Sequence, residues 1–157
     1  MYMKKYYLLS FLLISFLTTS GLLADLVKSK WNFVKDKDYC YIGSLPTFLD
    51  IPEGKKRGES YILVYRINKN PEAIVQINSG YPYKEKEPVN VKIDNKIYEF
   101  YSEDDSAWTN NDQEIIYAMK KGIELNVTGI SKRGTKTTDK YTLNGFTAAY
   151  TKLSKNC

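Results

Sequence analysis

The sequence predicts a mainly β protein, an antiparallel β-sandwich carrying two short α-helices. Three observations lead there. Short segments of alternating apolar and polar residues, broken by turn residues, fill most of the chain. One pair of such segments flanks a two-residue turn and matches across it in register. Helical periodicity appears in only two short stretches.

Residues 1–24 precede this pattern. Lys4 and Lys5 stand before an apolar run from Leu8 to Leu17, and a small, polar exit leads to Ala24. A positive start, a short apolar stretch and a small-residue exit form an export signal. The unbroken run of about 20 apolar residues needed for a spanning helix is missing. Cleavage is expected after Ala24, with Ser20 as fallback and an uncleaved anchor as the alternative. That leaves residues 25–157 as one domain with no transmembrane span in the mature form.

Trp31 and Phe33, then Tyr39 and Tyr41, bracket the charged turn Lys35 to Asp38 and predict an opening hairpin that carries Cys40. Gly54 to Gly58 reads as a basic turn. Tyr61 to Ile67 is apolar on both faces, as a central strand would be, and Ala73, Val75 and Ile77 alternate as another strand. Asp94-Asn95 then closes a hairpin from Val89 to Tyr101. Its register pairs Ile93 with Lys96, Val91 with Tyr98 and Val89 with Phe100, so the apolar residues share one face.

Asn111 with Glu114 resembles a capping box, Ile115, Ile116 and Met119 supply an apolar stripe, and Gly122 ends that helix. Ile123, Leu125 and Val127 alternate in a later strand, and Tyr141 and Leu143 mark the last one. Phe146, Ala149, Tyr150 and Leu153 repeat at helical spacing, with Asn144 as the expected cap. Cys157 follows Leu153 on the same stripe.

Composition excludes several chemistries. The 157 residues contain no histidine, so Ser-His-Asp and Cys-His nucleophile systems and His-ligated metals are out. Removing residues 1–24 takes two lysines and no acid, which lowers the net charge from +5 to +3. Nucleic-acid binders show a stronger, clustered basic excess, so none is expected as partner. The two cysteines, Cys40 and Cys157, read as a disulfide in an oxidising compartment. No Cys-x-x-Cys supports a redox pair.

Four groups could carry chemistry or binding. Glu103, Asp104 and Asp105 form the densest acidic group, on a loop where such residues ordinarily face water. Lys55, Lys56 and Arg57 form one basic loop, and Lys132, Arg133 and Lys136 a second. Together these loops could contact anionic envelope polymers or lipid head groups, or simply keep turn tips soluble. Gly80-Tyr81-Pro82-Tyr83 offers rigid aromatics for binding or for plugging the end of the sandwich. Trp108 poses the same choice, with the core preferred. The sequon Asn126-Val127-Thr128 lies mid-strand and is discounted. No catalytic, cofactor-binding or metal-ligating set emerges, and the candidate binding surface is Tyr81, Tyr83, Lys132 and Arg133.

The ordered motifs resemble the invasion-associated locus B family of exported alphaproteobacterial envelope proteins. The matching residues are Cys40-Tyr41, Arg57-Gly58, Gly80-Tyr81-Pro82-Tyr83, the Val91 to Phe100 hairpin, Ala107-Trp108 and Ala118 to Gly122. They continue through Ser131 to Thr137, Tyr141-Thr142-Leu143 and Gly145 to Ala149, and close on Cys157. The resemblance implies an immunoglobulin-like sandwich, export to the periplasm, outer envelope or medium, and no catalytic residue. Family members are linked to host-cell invasion, and some have further cysteines early in the chain. The expected function is a non-enzymatic binding or structural module for an envelope or host protein or an envelope polymer. A secreted enzyme inhibitor acting through Tyr81, Tyr83 or Arg133 is the alternative. A glycan hydrolase using Glu103 or Asp105 ranks last.

Overall fold

The Val89 to Tyr101 hairpin forms in the expected register, with Val91 opposite Tyr98 and Val89 opposite Phe100. It belongs to a mainly β, antiparallel sheet of nine strands with two helices. The computed structural model describes residues 26–27, 29–67 and 70–157, so the expected export signal lies outside the described residues. The strands are β1 (Asn32–Lys35), β2 (Tyr39–Ser44), β3 (Tyr61–Ile67), β4 (Ile74–Asn78), β5 (Val89–Ile93), β6 (Lys96–Glu103), β7 (Ser106–Trp108), β8 (Glu124–Ile130) and β9 (Lys136–Thr142). Helix α1 (Asp112–Lys121) stands between β7 and β8, and α2 (Phe146–Asn156) follows β9.

The strands bond in one continuous order, β1-β2-β3-β4-β7-β6-β5-β8-β9, and not as two separately bonded sheets. The join is β6. Its first part, Lys96 to Phe100, pairs with β5, and its last part, Tyr101 to Glu103, pairs with β7. The two halves share one core: Ile42, Ile62, Val64 and Ile77 from one meet Val91, Phe100, Val127 and Tyr141 from the other. Each fully buried side chain of this size contributes about 1.5–3 kcal/mol.

Both helices pack by the stripes their spacing shows. Ile115, Ile116 and Met119 are buried in α1, and Phe146, Ala149, Tyr150 and Leu153 in α2. Asn111 caps α1 by accepting from the Glu114 backbone N–H at 3.2 Å and donating to the Glu114 carboxylate at 3.1 Å. Gly122 ends α1 in an extended conformation, so its smallness is what counts there. A Cβ would stand 2.7 Å from Ile93 Cγ2 and 2.8 Å from Leu143 Cδ1.

At the element ends, two expectations need correction. Asn144 does not cap α2; Gly145 holds the cap position at φ 84° with no side-chain bond, because the chain enters through a left-handed turn closed by Phe146 N–H on Leu143 O. Ile123 lies before β8, not on its buried face, and is 78% exposed. Its backbone N–H is held by the Asp94 carboxylate at 3.0 Å, which turns the side chain outward.

β3 is two-faced as expected. Ile62 and Val64 enter the main core, while Leu63 joins Leu26 and Tyr41 in a second cluster flanked by Tyr39, Tyr61 and Tyr65. These tyrosines thus lie on the outer face of the sheet. Gly43 admits Leu26 there, since a Cβ would stand 2.6 Å from Leu26 Cδ2. Trp108 also lies on that face, half-buried beside Tyr101 with ring centroids 6.2 Å apart, and not in the core as preferred from sequence. Its strand pairing aligns it with Gln76, an outward residue of β4.

Cys40 and Cys157 form a disulfide with Cα atoms 5.8 Å apart across a separation of 117 residues. It ties the end of α2 to β2. Replacing both cysteines by serine should lower the unfolding free energy by about 2–5 kcal/mol in urea titrations, with α2 still docked through its apolar stripe.

Candidate functional site

The basic turn after β2 is pinned to the turn after β4. Gly58 N–H donates to Gly80 O at 2.8 Å, and Gly80 adopts φ 68°, where a Cβ would collide with the Gly58 carbonyl. This close approach aims Arg57 inward. Its guanidinium uses all five donors. Nη1 and Nη2 grip Asp139 Oδ1 and Oδ2 at 2.8 and 2.7 Å. Nη1 also donates to Asp50 O at 2.9 Å, while Nε and Nη2 donate to Ser79 O.

The pair is buried, with side chains 3% and 1% exposed. Asp139 takes two further donors, Asp50 N–H and the Ser60 hydroxyl, each at 3.0 Å. The Tyr141 hydroxyl lies 2.7 Å from Ser60 Oγ and extends the network into the core. Breaking such a pair leaves one uncompensated charge, so Asp139→Ala should cost about 3–5 kcal/mol in chemical denaturation. The double change Arg57→Met with Asp139→Leu should recover part of that loss.

Tyr81 covers the outer side of this network. The Arg57 guanidinium carbon lies 4.7 Å from its ring centroid, and its hydroxyl meets Thr137 Oγ1 at 2.8 Å. Tyr83 packs edge-on to Tyr81 at 5.4 Å, is 4% exposed and shares a hydrogen bond with Ser79. Of the two readings open for Tyr83, packing is the one its burial supports. Lys132 and Arg133 are exposed on the tight turn after β8, which Gly134 N–H closes on Ser131 O at 2.7 Å. Lys132 N–H donates to Pro82 O at 2.8 Å, so this turn is fastened to the Tyr81 segment.

The two basic loops therefore converge. Between them lies a cleft of about 370 Å³ lined by Lys55, Lys56 and Arg133, with Tyr81, Ile51 and Pro52 as its less polar wall. No carboxylate lines it. Of the four candidate binding residues, Tyr81 and Arg133 line this cleft, Lys132 is exposed on the same turn as Arg133 without lining it, and Tyr83 is buried against Tyr81. The acidic group is elsewhere in role: Glu103 ends β6 opposite Ser106, and Asp104 and Asp105 form the turn between them, with Asp105 accepting from the Ser106 hydroxyl at 3.1 Å. Among the described residues, no group of three or more acids, cysteines or histidines could hold a metal ion.

Asp139, Asp50 and the inward role of Arg57 escaped the sequence reading. One signal was available. Thr137, Asp139 and Tyr141 alternate inward along β9, and a carboxylate at an inward position demands a buried partner.

A family model of invasion associated locus B (IalB) proteins matches residues 34–154. The chain belongs to the IalB family. The matched span contains Arg57, Tyr81, Arg133 and Asp139, and so the whole cleft of this IalB chain. Its structure is similar to the crystal structure of invasion associated protein B from Bartonella henselae, with a TM-score of 0.54 and 15% identity, covering 78% of this chain and 89% of that one. At that identity the likeness shows a shared fold. No curated protein matches the IalB chain in sequence.

Burial pushes the Tyr81, Tyr83 and Tyr141 phenols above their ordinary value of 10.0. The folded protein holds these protons more tightly than the unfolded chain does. The stability they contribute is complete below pH 10 and is lost as pH rises through the folded-state values. Urea midpoints should therefore fall from about pH 10 upward, and phenolate absorbance from the buried Tyr83 and Tyr141 should appear only with unfolding.

Proposed function

We propose that this IalB chain is an exported, non-enzymatic binding module of the bacterial envelope, and that it holds an anionic group of an envelope or host component in the cleft between its two basic loops. The observation that carries the reading is that cleft: Lys55, Lys56 and Arg133 converge on one wall-to-wall space without a carboxylate in its lining. The Cys40–Cys157 disulfide supports an oxidising location. No helix among the described residues is long and apolar enough to cross a membrane. The two halves of the sheet, sharing one core across β6, support reading them as the layers of the immunoglobulin-like sandwich that the resemblance implies.

The rigid fastening of both loops matters for affinity. A preorganised site loses little freedom on binding, so moderate charge contacts suffice. Retention on immobilised heparin and polyphosphate should show a steep salt dependence. Lys55→Glu, Lys56→Glu and Arg133→Glu together should reduce affinity at least about tenfold, whereas Lys152→Glu with Lys155→Glu on α2 should change it little. Equal loss in both variants would show attraction to net charge alone and sink the cleft. Crosslinking in cells, compared with a Tyr81→Ala, Arg133→Ala variant, identifies the natural partner.

A further inference from the structure

The cleft has a neighbour of different character. Phe48 and Ile51 are 53% and 49% exposed, on the segment between β2 and β3. Single exposed apolar residues are ordinary on a protein surface and carry no meaning alone. These two differ in how they are held. Thr47 N–H donates to Lys140 O at 2.8 Å, Phe48 pairs with Lys140 in both directions at 3.3 and 2.9 Å, and the Asp50 carboxylate accepts from Thr138 N–H at 2.8 Å. Arg57 donates to Asp50 O and Asp139 accepts from Asp50 N–H, so the buried ion pair clamps the segment from beneath. A rigid backbone thus keeps two large apolar side chains in water.

What lies around them settles the kind of surface they suit. Ile51 shares the cleft with Lys55, Lys56 and Arg133, and Lys132 and Lys140 are exposed nearby on β9 and its turn. Asp50 and Glu53 are the acids on the same segment, and the Asp50 carboxylate is already bonded to Thr138 N–H. Other exposed apolar side chains, Ile97, Tyr117 and Ile123, stand among charges of both signs, with Lys121 Nζ 4.3 Å from the Tyr117 ring centroid. Ile123 is bonded to Asp94, and the Glu114 carboxylate binds Lys96 beside them. There the charges largely offset one another, whereas the Phe48 group, beside the lysines and Arg133 of the cleft, would be drawn to an anionic surface.

Resting on the reading of the basic cleft as an anion site, we propose that the chain docks peripherally on an anionic lipid bilayer. Phe48 and Ile51 enter the boundary between head groups and acyl chains, while Lys55, Lys56, Lys132 and Arg133 take the head-group phosphates. Apolar insertion and basic contact are each weak alone, and peripheral attachment needs both. The buried Arg57–Asp139 pair acts as the positioning element that keeps the apolar pair raised.

Sedimentation with phosphatidylglycerol vesicles, phosphatidylcholine vesicles and soluble polyphosphate separates the cases. The full oxidised protein should bind phosphatidylglycerol vesicles, release with rising salt, and bind phosphatidylcholine at least about tenfold more weakly. Phe48→Ala should lose at least about tenfold in vesicle partitioning yet keep polyphosphate binding, and Ile123→Ala should match the native chain. A Phe48→Trp variant should show fluorescence quenching by lipids brominated on their acyl chains, beyond any seen in the native chain. Binding to polyphosphate without binding to vesicles overturns the membrane proposal and leaves the cleft reading intact. Binding to neither overturns both. Vesicle binding unchanged by the Phe48→Ala substitution, or no added quenching in the Phe48→Trp variant, overturns insertion.

Discussion

The Arg57–Asp139 pair is the constraint on which the end of the molecule that carries the basic cleft depends. Burying two charges is costly, and an apolar pair of similar volume would often serve stability as well or better. What the ions add is direction. A guanidinium with five donors and a carboxylate with two oxygens can be satisfied only if Ser79 O, Asp50 O, Asp50 N–H and Ser60 all arrive in fixed places. Three chain segments far apart in sequence are thereby held to one geometry. An apolar plug would tolerate sliding among them.

The tyrosines divide into two populations with different work. Tyr41, Tyr61 and Tyr65 spread over the outer face of the sheet, where their rings shield the backbone of β2 and β3. Tyr81, Tyr83 and Tyr141 instead surround the ion pair, each with a hydroxyl bonded to Thr137, Ser79 or Ser60. Phenylalanine would fill the second set of positions but leave those hydroxyl partners with fewer bonds in a buried setting, which is expensive. A residue type that is apolar in body and polar at its tip suits both places.

Much of this was legible from the chain itself. The β5–β6 register followed from a two-residue turn and alternation, because both are local and reinforce each other. α1 was legible from cap to stop for the same reason. The failures share a cause. Asp139 finds its partner 82 positions away, so no local pattern names Arg57. Ile123 continues an alternation that the Asp94 carboxylate interrupts from another hairpin. Trp108 is large and apolar, yet three-residue β7 sends it outward by its pairing with β4. The meeting of the two basic loops depends on backbone bonds between turns, such as Lys132 N–H to Pro82 O, which side-chain spacing does not encode.

β6 carries one more implication. Because one strand is bonded to β5 along its first part and to β7 along its last, the sheet contains no seam along which it can open as two rigid plates. Any scissoring movement would have to rupture that strand's own ladder, so low-frequency breathing of the halves is suppressed. For the proposed anion site, this means a cleft whose shape is set before any ligand arrives. Recognition then proceeds as docking between finished surfaces, with side-chain tips as the main adjustable parts, and encounter rates are governed by charge and collision geometry and not by waiting for a rare open form.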